Sequence, residues 1–400
     1  MNKNRFTQVY VALLFLVMII FGASKQAFGA LISRIIAHYD ITMAQAGLLF
    51  SVNSVGNFVA LFIIAVFAGR INKMLLIGLS MFLMTISIFL ISAAPPFSLM
   101  FVCFAFMGIF GTTAETLINP LVADLRPVNV SRNMSWMHGL YGLGGLGGPI
   151  VIERLISRMS WARIYFLLSA VFIVYLIVYA IVVRRQWSTL TQYVSNEKQS
   201  QFGFADILKF FTLKRNILLW LTMGFYVGSQ SILSTWIKRY VEIQLGLPVW
   251  GAYALSALWL GTTASRLLIS PNIKASPLLQ ICVGNLISVA ALIAGLLSGS
   301  AGGITAATLM VGLSSGFTLP LVLAISCEWY PKKTTFGTLM LSTASFIAFI
   351  IFPPFSGFVS DHSGMLWGVA VGAACTFLAT AFSGVLYFNL KSNNQLTEGV

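Results

Sequence analysis

The sequence predicts an all-α membrane protein of twelve transmembrane helices, arranged as two pseudo-symmetric sets of six with both termini in the cytoplasm. Three observations carry this. First, 58% of the 400 residues are hydrophobic and only 8% are charged, against roughly 25% charged in a soluble domain. Second, the apolar residues form continuous runs of about 20, the length a helix needs to cross a bilayer, instead of the alternation a barrel strand requires. Third, the halves echo each other. Asn119-Pro120-Leu121-Val122 has a counterpart half a chain later in Leu319-Pro320-Leu321-Val322, and Arg70 and Lys73 are answered by Arg266 and Lys274. Duplicated halves suit a fold whose site lies near the midplane and is reached by rocking.

In chain order, spans are expected at 7–33, 44–67, 74–94, 97–123, 135–157 and 163–183, then at 216–240, 250–270, 277–299, 303–327, 335–359 and 364–389. The opening MNKNRFTQ leads into the first span without a small-residue cleavage site, so a retained helix is expected and not a signal peptide. Residues 184–215 are the only long polar segment. Within it Phe204, Ile207, Leu208 and Phe211 recur at i, i+3, i+4 and i+7, which predicts a short helix on the membrane surface. The expected organisation is therefore a six-helix half at 1–183, a cytoplasmic linker at 184–215 and a second half at 216–400.

The net charge is +14. The basic residues stand singly between apolar spans, which excludes a nucleic-acid groove and makes them a topology signal. With the N-terminus inside, 17 of the 24 Lys and Arg face the cytoplasm, as the positive-inside rule requires. Arg154, Arg158 and Arg163, around the 157–163 connection, are the exception. These features predict a multi-pass protein of a bacterial cytoplasmic (inner) membrane. Cys103, Cys282, Cys327 and Cys375 lie in apolar runs at no metal-ligand spacing. With no hydrolase triad, phosphate loop or nucleotide domain in the sequence, neither an enzyme nor an ATP-driven pump is expected, and no cofactor or metal. Gly142-x-Gly144-x-x-Gly147 formally matches a dinucleotide fingerprint, but it follows no strand and sits in an apolar helix. Its glycines, with Gly139, Gly145 and Gly148, fit close helix approach.

Function concentrates between Gly111 and Pro149. Glu115 stands inside an apolar run, where a charge costs roughly 2.5–3.5 kcal/mol on insertion scales and so marks a coupling site or pathway. Lys25 lies in the first span. With the expected boundaries, Lys25 and Glu115 fall roughly 8–9 Å from the middle of their spans on opposite sides, which argues against a direct salt bridge. Lys25 either snorkels to the outer interface or meets an anionic group and gates the site. Asn119 is set to hydrogen-bond a solute or a neighbouring helix, and Pro120 to kink span four. His138 is either a packing residue or a proton relay. Gln26, Tyr141, Gln230, Trp236 and Trp259 complete the expected substrate contacts, a mix of aromatic faces and a few amides that suits an apolar pocket. Trp236 is equally placed to be an interfacial anchor. Arg70, Lys73 and Arg266 are assigned to cytoplasmic gate loops.

Twelve helices divided six and six by a cytoplasmic loop resemble the major facilitator superfamily. Its loop between spans two and three survives in part as Ala68-Gly69-Arg70-Ile71-Asn72-Lys73, with Gly69 where the family has aspartate. Glu115-Thr116-x-x-Asn119-Pro120-x-Val122 is similar to span four of the fucose permease branch, the sugar:proton symporters. Gln45-Ala46-Gly47-Leu48, His138-Gly139-Leu140-Tyr141-Gly142-Leu143-Gly144 with Gly148-Pro149, Tyr226-Val227-Gly228-Ser229-Gln230 followed by Trp236, and Trp259-Leu260-Gly261 with Ser265-Arg266-Leu267 fit the same branch. The resemblance implies a monomeric symporter that imports a small sugar or sugar derivative with protons by alternating access. Two departures bear on coupling: the branch's first-span acid is replaced by Gly29, and its span-seven acid by Gln230. A proton-driven exporter of amphipathic compounds is the alternative. A lipid translocator is a third reading, and a non-transporting receptor a more distant one.

Overall fold

A computed structural model of the chain describes residues 3–67, 72–125, 130–185, 204–330 and 334–392, and it is helical throughout, with no strand among them. The helices are α1 Lys3–Tyr39, α2 Met43–Phe67, α3 Lys73–Ser92, α4 Phe97–Leu125, α5 Val130–Ile156 and α6 Trp161–Arg185. After the linker come α7 Phe204–Thr212, α8 Lys214–Gln244 and α9 Pro248–Ala264, which runs on into a π turn at Ser265–Ile269. Then follow α10 Pro277–Ser298, α11 Ala301–Ser315, α12 Thr318–Trp329, α13 Thr334–Ser363 and α14 Met365–Ser392.

Ten helical stretches, α11 and α12 counted together, are long and apolar enough to cross a membrane. Glycine-rich α5 and the 17-residue α9 fall outside that set, so among the described residues length and composition mark ten spans where the sequence predicts twelve. The local reasons for helix ends are conventional. Asn72 accepts from the Met74 N–H at the start of α3. Gly299, at φ +58°, closes α10 in the left-handed conformation, and the Ser300 hydroxyl then accepts from the Gly303 N–H to open α11. Span ten is interrupted at Gly316-Phe317, and Pro320 falls in the first turn of α12, where a missing N–H costs least.

The described residues form two compact units, Met1–Ile41 with Leu48–Lys198, and Thr42–Gly47 with Gln199–Val400. Within the first, α1 packs on α4, α5 and α6, and α3 on α4 and α6. Within the second, α8 packs on α13 and α14, and α10 on α11 and α14. The pairing pattern repeats: α1–α5 corresponds to α8–α13, α1–α6 to α8–α14, α3–α4 to α10–α11 and α3–α6 to α10–α14. Close backbone approach repeats with it. A Cβ on Gly56 or Gly108 would overlap the facing backbone of α4 or α2, and one on Gly261 or Gly312 would overlap that of α11 or α9.

The linker helix α7 is present, but it is a docked element. Phe210 is buried with Ile207 against the core of the second unit, between the rings of Tyr330 and Phe336. Its carbonyl accepts from the Asn216 amide at 2.9 Å. Leu208 and Phe211 stay exposed.

The turn of chain at Thr42–Gly47 explains one sequence motif. The Thr42 hydroxyl accepts from the Gln45 N–H at 3.1 Å while the Gln45 side chain accepts from the Thr42 N–H at 2.9 Å, a reciprocal capping box. Asp361 takes the remaining first-turn donors, accepting from the N–H groups of Met43 (3.0 Å) and Ala44 (2.9 Å). Gly47 gives the turn room, since a Cβ there would stand 2.5 Å from the Pro354 Cα. A carboxylate on a helix N-terminus satisfies orphan donors and meets the positive end of the dipole. Asp361→Ala is therefore expected to cost about 1 kcal/mol, read as a fall of a few degrees in the unfolding midpoint of detergent-solubilised protein; an unchanged midpoint would mean the cap carries no stability.

Candidate functional site

The first unit assembles the site from α1, α2, α4 and α5. Helices α1 and α5 meet backbone to backbone: a Cβ on Gly22 would overlap the Tyr141 carbonyl, one on Gly144 would overlap the Ile19 carbonyl, and one on Gly148 would stand 3.0 Å from the Ala23 Cα. Gly147 faces nothing within 4 Å. Gly144 and Gly148 thus admit α1, and Gly147 does not. Gly22, the matching notch on α1, lies one turn before Lys25.

Helices α2 and α4 are joined by amides. Asn53 donates to the Phe104 carbonyl at 3.0 Å, and the Thr112 hydroxyl bonds the Asn57 amide at 2.8 Å. With its NH2 turned toward them, Asn57 also donates to the carbonyls of Asn53 (3.3 Å) and Gly108 (3.1 Å). Buried amides whose groups are spent this way fix two helices together. Thr112 stands one turn before Glu115, so this network holds the face of α4 that carries the carboxylate.

Against that background, Lys25, Gln26 and Glu115 are not spent on helix pairing. Lys25 and Glu115 are partly buried and Gln26 is 4% exposed. None of the three has a hydrogen bond or ion pair to a described residue. The Lys25 ammonium nevertheless lies near enough to act on the Glu115 charge, without closing to an ion pair of 4 Å. As expected, the two make no direct salt bridge, and α1 runs to Tyr39, six residues beyond the expected end of the span.

The other expected site residues fall as follows. Tyr141 is partly buried and His138 exposed on α5, and both have partners. Asn119 lies on α4, but its side chain is outside the described residues, as is all of Arg70. Lys73 is 6% exposed at the start of α3 and engaged there, so it is a buried helix-start residue in place of an open loop cation. In the second unit Gln230 is partly buried on α8 with no hydrogen bond to a described residue, and Trp259 is partly buried and engaged on α9. Trp236 is placed in the core, fully buried, with its indole N–H donating to the Pro353 carbonyl at 3.0 Å. It braces the Pro353–Pro354 pair inside α13, which accounts for the residue without a solute or an interface. Arg266, in the π turn, donates from Nε to the Gly316 carbonyl at 2.9 Å and ties that turn to the break in span ten.

Sequence reasoning passed over Asn53, Asn57, Thr112 and Gly22. The first pair was legible: two asparagines four residues apart in an apolar run lie on one helix face. Gly22 carries no such signal, because its role appears only once α5 is seen against it. The four cysteines are free thiols, and no group of metal-ligating side chains occurs among the described residues.

The chain matches the family model of the Major Facilitator Superfamily over residues 14–274 and belongs to that superfamily. It is a multi-pass membrane transporter and not an enzyme. Crystal structures of a bacterial homolog of the human lysosomal transporter Spinster share its fold. The inward-facing, unoccupied form aligns at a TM-score of 0.73 and 15% identity over 97% of this chain and 98% of that one. The inward-facing, occupied form aligns at 0.73 and 16% over the same shares. The chain is also 25% identical to Bypass of stop codon protein 6 of Saccharomyces cerevisiae over 283 residues, 62% of this chain. It spans about half, 54%, of that protein's length.

Proposed function

We propose that the protein is a proton-coupled secondary transporter of a small hydroxylated solute, most simply a sugar or sugar derivative, working by alternating access through twelve spans. The observation that carries this reading is the trio Lys25, Gln26 and Glu115, which retains hydrogen-bonding capacity inside a unit where Asn53 and Asn57 are spent on helix pairing. Unspent polar groups at membrane depth are expensive, and a solute or a proton supplies the missing partner.

In this account Glu115 takes up the proton. Ionised, it attracts Lys25; protonated, it frees the ammonium, which together with Gln26 then holds solute oxygens. Solute and proton then favour the same state, which is the condition for coupling. The absence of an acid at Gly29 makes Lys25 the partner of Glu115 in span one. Asn119, His138 and Tyr141 complete the proposed contacts of the first unit, and Gln230 and Trp259 those of the second, while Arg70, Lys73 and Arg266 stay assigned to cytoplasmic gating. The cationic Lys25 also widens the solute class to uronic acids. A working monomer with both termini inside, in a bacterial inner membrane, completes the reading.

The test is uptake by proteoliposomes under an inward proton gradient, across a panel of neutral sugars and uronic acids. Concentrative uptake of at least one is expected, abolished by a protonophore. No uptake across the panel, with extrusion of cationic amphiphiles instead, would replace import by the exporter reading.

A further inference from the structure

We propose that the outer groove between α3 and α6 is a binding site for an anionic phospholipid, its acyl chain lying in the groove and its phosphate on Arg184. The groove encloses about 700 Å³ and is walled by Leu75, Leu79 and Phe82 on one side and by Ile173, Ile177 and Ala180 on the other. That volume is in the range of ligand pockets, roughly 300–1,000 Å³. Its floor is made where Gly78 removes a side chain and the Tyr179 ring comes to within 3.1 Å of the Cβ position. Tyr179 cannot swing out to fill the space, because its hydroxyl donates to the Met74 carbonyl at 2.8 Å and bonds the Tyr10 hydroxyl at 3.0 Å. The depression is thus built into the helix pair.

Length and charge name the occupant. From Ile173 to Arg184 the groove follows α6 for about 16 Å at 1.5 Å per residue, close to one leaflet of a hydrocarbon core about 30 Å thick. A single acyl chain of that leaflet matches it. At one end the lining turns from apolar to Arg184, which is exposed and has no hydrogen bond or ion pair to a described residue. A guanidinium at the end of an acyl-length groove pairs with phosphate in a charge-assisted, bidentate manner. The lining offers no carboxylate to repel an anion. This site faces lipid and is separate from the Lys25–Glu115 interior, so its occupant is a bound lipid and not the transported solute.

Native mass spectrometry of the full-length protein in detergent tests this, with phosphatidylglycerol and phosphatidylcholine of identical acyl chains added at equal concentration. The wild type is expected to retain phosphatidylglycerol in preference to phosphatidylcholine. Ala180→Trp, which fills the groove from α6, should lose the bound lipid, and Arg184→Gln should remove the preference between headgroups. Leu79→Trp fills the groove from α3 and serves if Ala180→Trp lowers the unfolding midpoint in lipid-free detergent. Equal retention by wild type and both tryptophan variants would overturn the site. Equal retention of the two lipids by the wild type would overturn the anionic class, and displacement by inorganic phosphate would overturn the role of the acyl chain.

Discussion

Glu115→Gln should abolish uphill accumulation while solute exchange across the membrane continues. One proton crossing about 100 mV supplies about 2.3 kcal/mol, enough for an accumulation of roughly fiftyfold. A glutamine keeps the shape and hydrogen-bonding reach of a protonated glutamate but cannot release the proton, so the ratio should fall to about one. Efflux and counterflow, which need only solute-loaded reorientation, should persist. Lys25→Gln removes the cation that stands near the Glu115 carboxylate. Because an uncompensated charge at membrane depth is costly, either single variant should give less folded protein, so transport is compared at equal protein in the membrane. Neutralising both residues should restore the yield of folded protein and still leave no accumulation. A double variant that accumulates solute would assign the coupling proton elsewhere.

Gly144→Leu should cost the fold itself. A Cβ there would overlap the Ile19 carbonyl of α1, and main chain in the middle of a helix cannot give way as a side chain can. Overpacking with flexible neighbours costs about 1–3 kcal/mol, so a clash against backbone is expected to cost at least about 3 kcal/mol. Expression should collapse, with the remaining protein running as aggregate on size-exclusion chromatography. Gly147→Leu is the matched control, because nothing lies within 4 Å of its Cβ position. Equal behaviour of the two variants would contradict the α1–α5 packing.

These two sites show what the sequence discloses and what it withholds. Helix positions follow from hydropathy, since lipid demands long apolar runs whatever the helices do to one another; α2 at Met43–Phe67 and α10 at Pro277–Ser298 fall within a residue of expectation. The glycine-rich run in α5 announces close packing, but not which glycines meet a partner. That depends on the rotation of α5 about its axis, and it separates Gly144 from Gly147. Glu115 and Lys25 stand out individually because each is a charge in an apolar run. The influence of one charge on the other does not, because it depends on how α1 packs on α4. Trp236 shows the converse failure: a tryptophan near a span end reads equally as a solute contact or an interfacial anchor, and it is a buried brace on Pro353.

The resemblance to the sugar symporters also separates into parts. Gln45 and Gly47 belong to that motif, and local geometry accounts for both, through the capping box with Thr42 and the approach to Pro354. Motif residues with a packing role speak for the fold and are silent about the solute. Glu115 and Gln26 have no packing partner of that kind, which is why the functional reading rests on them.

Solute and proton should move together through Glu115, and external pH in a lightly buffered suspension of intact cells expressing the protein reads this directly. Sugars and uronic acids are added in turn. The account predicts transient alkalinisation with at least one of them, absent in Glu115→Gln cells with equal protein in the membrane. Alkalinisation of the same size in the Glu115→Gln cells would contradict it.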